Sequence, residues 1–534
     1  MSATDAVIIG AGHNGLVAAG YLARAGHSVT VLERRGMVGG AAVTEEFHPG
    51  FRNSVCSYVV SLLNPAVIED LELGRYGLEI MDGADCTLQP GREPGGGCFF
   101  PDDADEYMQV VASLSGRDAE AFPRFERTLE MAAAMMRQLV AETPPNLGGG
   151  LLDLIRAGRL ANRLRKLGPE MQTEFMKLMT MSVAEYMDEW FESVELKSQY
   201  SQQAFVGNMV SPYSAGSAFV LIYHFFGEVN GKLGAWGHAR GGMGSITQAM
   251  ARSAEAHGAT IEVDAPVAEV LIEDGVARGV RLEDGRELRA KIVAANTNPK
   301  LLFSRLVPEH AVPEAFRRRM DNFRCHSGTL RLNLALDALP RFTCIDHLSD
   351  EEQLARLQGM TLFNGDWQYD EDAYHDARSR GWSERPIIEM YMPSVIDDTL
   401  APPGKHVVSL FCQHFAYALP DGRSWDDEKQ KAADHVIDFV AGFAPNLRDV
   451  LLGTQVLSPL DLEREYGLVG GDIMHGCLGL DQLYSMRPVA GYADYRMPVR
   501  NLYLCGSGAH PGGGVSGNPG RNAAREMLKD LKRL

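Results

Sequence analysis

Near its N-terminus the chain runs Asp5-Ala6-Val7-Ile8-Ile9 straight into Gly10-Ala11-Gly12-His13-Asn14-Gly15, and no other feature constrains the fold as tightly. The apolar run suits a parallel strand buried on both faces. The following LVAAGYLARAG carries apolar residues at helical spacing, and Gly26 stops it. Ser28–Leu32 (SVTVL) is a second strand and ends at Glu33. Strand, glycine turn, helix, strand and acid in this order specify a dinucleotide site. Gly10 permits the tight turn, Gly12 lets the backbone approach a pyrophosphate at the helix start, and Gly15 lets helix and strand pack closely. Glu33 is placed to accept hydrogen bonds from ribose hydroxyls. The same glycine spacing recurs at Gly512–Gly517 without a second strand and acid after it, so the frame and not the spacing carries the assignment.

The residues after the acid separate the possible dinucleotides. Glu33-Arg34-Arg35-Gly36-Met37-Val38-Gly39-Gly40-Ala41 matches an ExxxxxGG extension. The glycine pair lets the chain pass close to ribose and pyrophosphate, and Ala42–Tyr58 can then run beneath a flavin ring, which an NAD site does not need. FAD is therefore the expected cofactor. Far along the chain, Asn501–Cys505 is a buried-type strand leading into Gly506-Ser507-Gly508-Ala509-His510-Pro511-Gly512-Gly513-Gly514-Val515 and a final helix, for which Asn518-Pro519 makes a good cap and first-turn pair. Backbone N–H groups of Gly514 and Val515 would stabilise negative charge on a reduced flavin. Between these ends, Val267–Ile272, Val276–Leu282 and Glu287–Val293 form a β-meander with Asp274-Gly275 and Asp284-Gly285 at its turns. Its last strand returns to the nucleotide sheet and ends at Asn296, which places Val267 near the adenine. The fold class expected is α/β (α+β overall): a discontinuous Rossmann-like FAD-binding domain (1–100, 236–300 and 490–534) with the inserted meander, and a mixed substrate region with a helical subdomain (101–235 and 301–489).

Composition narrows the partners. With 51 Lys+Arg against 70 Asp+Glu the net charge is −19, which argues against nucleic-acid binding. No run of 18 apolar residues predicts a membrane-spanning helix, and no secretory signal is read, so a cytosolic location is expected. The eight cysteines include no CxxC pair, and reduced thiols are expected. No metal site is expected. Residues 101–200 read as Met-rich helices. Within them Arg156, Arg159, Arg163, Arg165 and Lys166 interleave with leucines over 151–167, either an ordinary solvated helix or one resting on anionic lipid at the inner face of a membrane. His510, beside the expected flavin ring, is the first candidate for substrate contact or proton handling. Tyr58, Tyr213, Tyr223 and His224 are candidate pocket walls.

VIIGAGHNGLVAAGYLARAG, VLERRGMVGGAAVTEE, AWGHARGGMGS and NLYLCGSGAHPGGGVSGNPGRNA together resemble the phytoene desaturase-like FAD oxidoreductases, and within them the pyridine nucleotide-disulfide oxidoreductase domain-containing protein 2 group. The resemblance runs nearly end to end. It implies non-covalent FAD held by Gly10, Gly12, Gly15, Glu33, Arg34, Gly39 and Gly40, and from later segments by Val267, Gly506, Gly514 and Val515. The neighbouring His13, Asn14, Arg35, Ala41 and Asn296 complete the expected set. It further implies removal of a hydride from a C–H bond of a hydrophobic, isoprenoid or carotenoid-like substrate, with oxygen or a quinone as acceptor. A flavin amine oxidase and a flavin-binding scaffold with little turnover are the alternatives.

Overall fold

The computed structural model describes residues 4–534. Its first sheet runs in the order Thr260–Glu262, Val29–Leu32, Thr4–Ile9, Glu287–Ala295, Val276–Leu282, Val267–Glu273, with Leu502–Leu504 as a further partner of Glu287–Ala295. Ala6, Val7 and Ile8 are completely buried, as a two-faced parallel strand requires. Glu287–Ala295 serves two partners on one side. Its first residues pair antiparallel with Val276–Leu282, while Val293–Ala295 pair parallel with Leu502–Leu504. The meander thus joins the nucleotide sheet through its last strand, and the C-terminal strand extends the same sheet. Helix His13–Arg24 packs against helices Gly244–Ala256 and Asn518–Leu531. The last of these starts one residue earlier than a cap at Asn518 would give: Gly517, at φ 71°, is the cap, and Pro519 sits in the first turn.

The second sheet is ordered Leu451–Leu457, Leu330–Leu336, His406–Gln413, Ile387–Tyr391, Met360–Phe363, Thr87–Pro90, Gly97–Phe100. The last two strands correct the expectation that residues 1–100 all belong to the cofactor domain. Thr87–Pro90 pairs with Met360–Phe363, some 270 residues away, and nothing local in the sequence records that partner. One face of this sheet is wholly apolar. Leu330, Leu332, Leu334, Ile388, Met390, Val408 and Leu410 pack with Ala433, Val436, Ile437 and Val440 of helix Trp425–Ala441. The alternate residues Arg331, Asn333, Glu389, Tyr391, Ser409 and Gln413 share the opposite face, and all are buried too.

Six helices between Ala104 and Phe205, with Ala218–Phe225, cap that polar face. They enclose a core of Phe122, Phe125, Met135, Met136, Met187 and Phe191, so much of the Met-rich stretch is core packing. The eight cysteines are all free, and among the described residues no helix is long and apolar enough to cross a membrane.

Candidate active site

Strand Thr4–Ile9 delivers Gly10 at φ +95°, a conformation that favours glycine, and a Cβ on Gly15 would stand 2.2 Å from the Gly10 carbonyl oxygen. These two positions fix the turn and the close seating of helix His13–Arg24 on the sheet. The turn opens on a cleft of about 290 Å³. Gly10, Gly12, His13, Glu33, Arg34, Arg35, Gly40, Ala41, Val267 and Asn296 line it, so ten of the expected cofactor residues share one cavity. Glu33 accepts from the N–H of Ala11 (2.8 Å) and of Arg35 (3.0 Å), which anchors its carboxylate at the strand end. Asn296 donates to the Gly10 carbonyl at 3.3 Å.

The polar inventory of this cleft fits a dinucleotide. His13 Nε2, Arg35 Nη1, Thr297 Oγ1 and His475 Nδ1 are buried there without a hydrogen-bond partner. Unpaired buried polar atoms gathered on one cavity mark a place for a polar ligand. Burial lowers His13 to about 3 and His475 to about 4, so both imidazoles are neutral near pH 7. The Arg35 guanidinium stacks 4.7 Å from the Tyr466 ring centroid and pairs with Glu45 at 2.5 Å.

Other expected residues stand elsewhere. Gly15 and Gly39 shape the backbone behind the cleft: Gly39 donates to the Ala11 carbonyl at 2.9 Å. Asn14 faces away, donating to Ser507 Oγ at 3.0 Å and accepting from the Gly520 N–H at 3.4 Å, which ties the two glycine units together. Ser507 is the member of the C-terminal loop that lines the cleft, whereas Gly506, Gly514 and Val515 do not. Gly506 packs on Asn296, Gly514 on Leu62, and Val515 holds φ 55°, a strained value for a β-branched residue. His510 is not brought to any described cavity. Its Nε2 lies 2.9 Å from the Leu139 carbonyl, its ring meets Tyr484 edge-on, and its buried Nδ1 has no partner among the described residues.

The candidate wall residues scatter for identifiable reasons. Tyr213 is 54% exposed on a loop. His224 is bound 3.0 Å from the Val220 carbonyl within its own helix, and burial lowers it to about 4. Tyr223 donates to the Gly513 carbonyl at 2.8 Å and so braces the glycine loop. Tyr58 lies on the polar sheet face, where its hydroxyl donates to Glu389 and its ring carries the Arg331 guanidinium at 4.5 Å.

That polar face went unread in the sequence. Arg331 and Glu389 are fully buried, and no acidic atom lies within 4 Å of the Arg331 guanidinium; it donates to Ser409 Oγ at 2.6 Å and to the Val55 carbonyl at 3.4 Å. Seventeen buried side-chain polar atoms lack a partner among the described residues, and nine belong to Gln202, Gln203, Arg331, Asn364, Asp370, Gln413 and His414, on this floor and its bordering helices. The Ser57 N–H donates to the carbonyl of Ala41, which lines the cofactor cleft, so Tyr58 and the floor begin where that cleft ends. Glu389, Tyr391, Gln202 and Gln203 wall an inner chamber of about 100 Å³. It shares Asp85, Gln199, Gln203 and Trp236 with an outer chamber of about 330 Å³ lined by Tyr107, Met108, Phe122, Leu129 and Tyr200, with Asp102, Glu126 and Glu130 among its walls. Burial raises Asp85 to about 6.

Arg487 is the other residue the sequence did not announce. Its buried guanidinium donates to the Met474 carbonyl at 2.7 Å, to Ser507 at 2.8 Å, to Gly476 at 3.2 Å and to Gln482 at 3.3 Å. It staples the loop bearing His475 to the C-terminal glycine loop.

Comparison with known proteins agrees with this architecture. The model of the family "Flavin containing amine oxidoreductase" matches residues 15–528. The pyridine nucleotide-disulfide oxidoreductase domain-containing protein 2 of Rattus norvegicus is 40% identical, with 99% of this chain and 94% of that protein covered. A lycopene-forming phytoene desaturase of a Paracoccus species is 26% identical over 99% of this chain and 98% of its own. Cyclohexylamine oxidase from Brevibacterium oxydans shares the fold, with a TM-score of 0.60 at 17% identity and both chains fully covered. The glycine frame, the cleft it opens and a match across nearly the whole length lead to one conclusion: the chain belongs to the flavin containing amine oxidoreductase family and is an FAD-dependent oxidoreductase.

Proposed function

We propose that the chain oxidises a C–H bond of a small amphipathic molecule that rests on the polar floor with its apolar part toward the outer chamber. The observation that carries this reading is the floor itself. Glu389 lines the inner chamber beside Gln202 and Gln203, whose buried Oε1 atoms lack a partner, and such a polar lining is costly unless a hydrogen-bonding group completes it. An all-hydrocarbon isoprenoid or carotenoid would leave those atoms unpaired. FAD, when bound, supplies the two-electron acceptor for the hydride. Gly10, Gly12, Glu33, Gly40 and Asn296 hold the nucleotide, with His13, Arg35 and His475 offering polar contacts. Tyr58 and Glu389 orient the substrate's polar group, and the helical cap excludes water. A flavin amine oxidase is the second reading, favoured by Asp85, Asp102, Glu126 and Glu130 in the outer chamber, acids that would draw a cation inward.

The test is anaerobic bleaching of the purified flavoprotein's visible absorption. Heat-released FAD is expected, and bleaching by an alkyl amine or an isoprenoid alcohol supports the reading. Bleaching by a hydrocarbon polyene alone overturns it in favour of a desaturase. Bleaching by none points to the scaffold alternative.

A further inference from the structure

Helix Leu151–Lys166 contains no buried residue. One side still rests on the protein: Leu160, Leu164 and Leu167 pack against the helical cap, while Arg156 reaches Glu526 at 3.6 Å and Arg163 reaches Glu142. The outward side is divided along its length. Its first turns present Leu151, Leu152, Leu154 and Ile155 at 74%, 72%, 68% and 43% exposure, and Leu147, just upstream, is 58% exposed. Its last two turns present Arg159, Arg165 and Lys166. None of these three has an acidic partner within 4 Å among the described residues; Arg165 bonds only Asn162, at 3.0 Å. Gly148-Gly149-Gly150 joins Leu147 to the helix.

A contiguous apolar tip followed by a collar of unpaired cations is unlike scattered surface leucines, and it is out of character for a chain of net charge −19. We propose that this helix docks the protein on an anionic lipid bilayer: the leucine tip enters the acyl boundary, and Arg159, Arg165 and Lys166 meet the phosphate layer. The charge pattern selects this occupant. A second copy pairing tip to tip would cover the leucines but leave Arg159, Arg165 and Lys166 without anionic partners, whereas an anionic bilayer supplies both an apolar phase and phosphates.

Flotation with phosphatidylcholine vesicles, with and without phosphatidylglycerol, tests the assignment on the FAD-loaded protein. Wild-type protein is expected to float with the anionic vesicles and to be released at about 0.5 M salt. Arg159→Gln, Arg165→Gln and Lys166→Gln together should weaken partitioning about 100-fold, at about 1 kcal/mol per cation. Leu151→Asp with Leu154→Asp should abolish flotation. Both variants alter exposed side chains, so their FAD content and thermal midpoint should match wild type. Failure of the wild type to float overturns the proposal, as does equal binding to neutral vesicles unaffected by the cation variant. So does conversion of a dimer to a monomer by the leucine variant, which would show a second copy covering the tip.

Discussion

The two sheets of this molecule are both buried, yet they were built under opposite rules. In the first, Ala6, Val7, Ile8 and Ile9 are apolar in succession because the strand is buried on both faces, and glycines stand where backbone must approach backbone. In the second, Leu330–Leu336 alternates: Leu330, Leu332, Leu334 and Leu336 face helix Trp425–Ala441, while Arg331 and Asn333 face inward to an equally buried polar floor. The first sheet binds through backbone geometry and tolerates little substitution. The second presents buried polar side chains instead, which the reading proposed above assigns to the substrate. On that proposal the two sheets divide the work, the cofactor falling to the first and the molecule to be oxidised to the second.

The largest effect is expected where chain leaving one sheet is tied to chain leaving the other, and Arg487 makes such a tie between the 507–509 and 474–482 loops. It is a buried cation satisfied by carbonyls of both the 474–482 and 507–509 loops. Arg487→Met removes the donors and leaves those carbonyls unpaired, an expected loss of about 3–5 kcal/mol. Thermal unfolding of the purified variant checks this, and a midpoint within a few degrees of wild type would reduce Arg487 to a passive filler. Gly12→Val comes next. A Cβ there already stands 2.8 Å from Asn296 Nδ2, and a branched side chain would also fill the mouth of the cleft. FAD retention should fall by at least about tenfold while the fold survives. Stoichiometric FAD in that variant would overturn the assignment of the N-terminal cleft.

The first sheet was legible because its signals are local. A turn at positive φ, a helix stop at Gly26, and the Asp274-Gly275 and Asp284-Gly285 hairpins are each recorded within a few residues. The meander's strands agree with expectation to within two residues. The second sheet was not legible, because Thr87–Pro90 finds Met360–Phe363 only after the intervening chain has folded, and a lone Arg331 in a strand looks like any solvated arginine until both faces are seen to be covered. His475, Thr297 and Arg487 were missed for the same reason: each is an isolated residue whose partners are distant in sequence. His510 shows the converse: adjacency to a glycine loop does not fix which way a side chain points, and its Nε2 is turned to the Leu139 carbonyl.

The smallest expected effect sharpens the comparison most, because it separates the sheets by chemistry. Glu389→Gln keeps the shape of the floor and the acceptor for Tyr58, so FAD content and thermal midpoint should be unchanged. Turnover should drop, by about tenfold for one weakened charge-assisted hydrogen bond. The two regions should also differ in their response to acid. His13 and His475 are held neutral by burial, lowered to about 3 and about 4, while in the unfolded chain each protonates near 6.5. The unfolded state therefore binds more protons below that value, and the stability these residues contribute is fully present above it and is lost as pH falls from about 6.5 toward about 4. Glu389 carries the opposite sign: burial raises it above the ordinary carboxylate range, so its contribution weakens as pH rises and does not fail in acid. FAD release measured against pH should accordingly begin below about 6.5 in wild type and in Glu389→Gln alike. His475→Gln, which cannot gain the proton, should shift that release to lower pH. An unchanged release curve in His475→Gln would place the acid-sensitive step outside the cofactor cleft and break the link between its unpaired imidazoles and the dinucleotide.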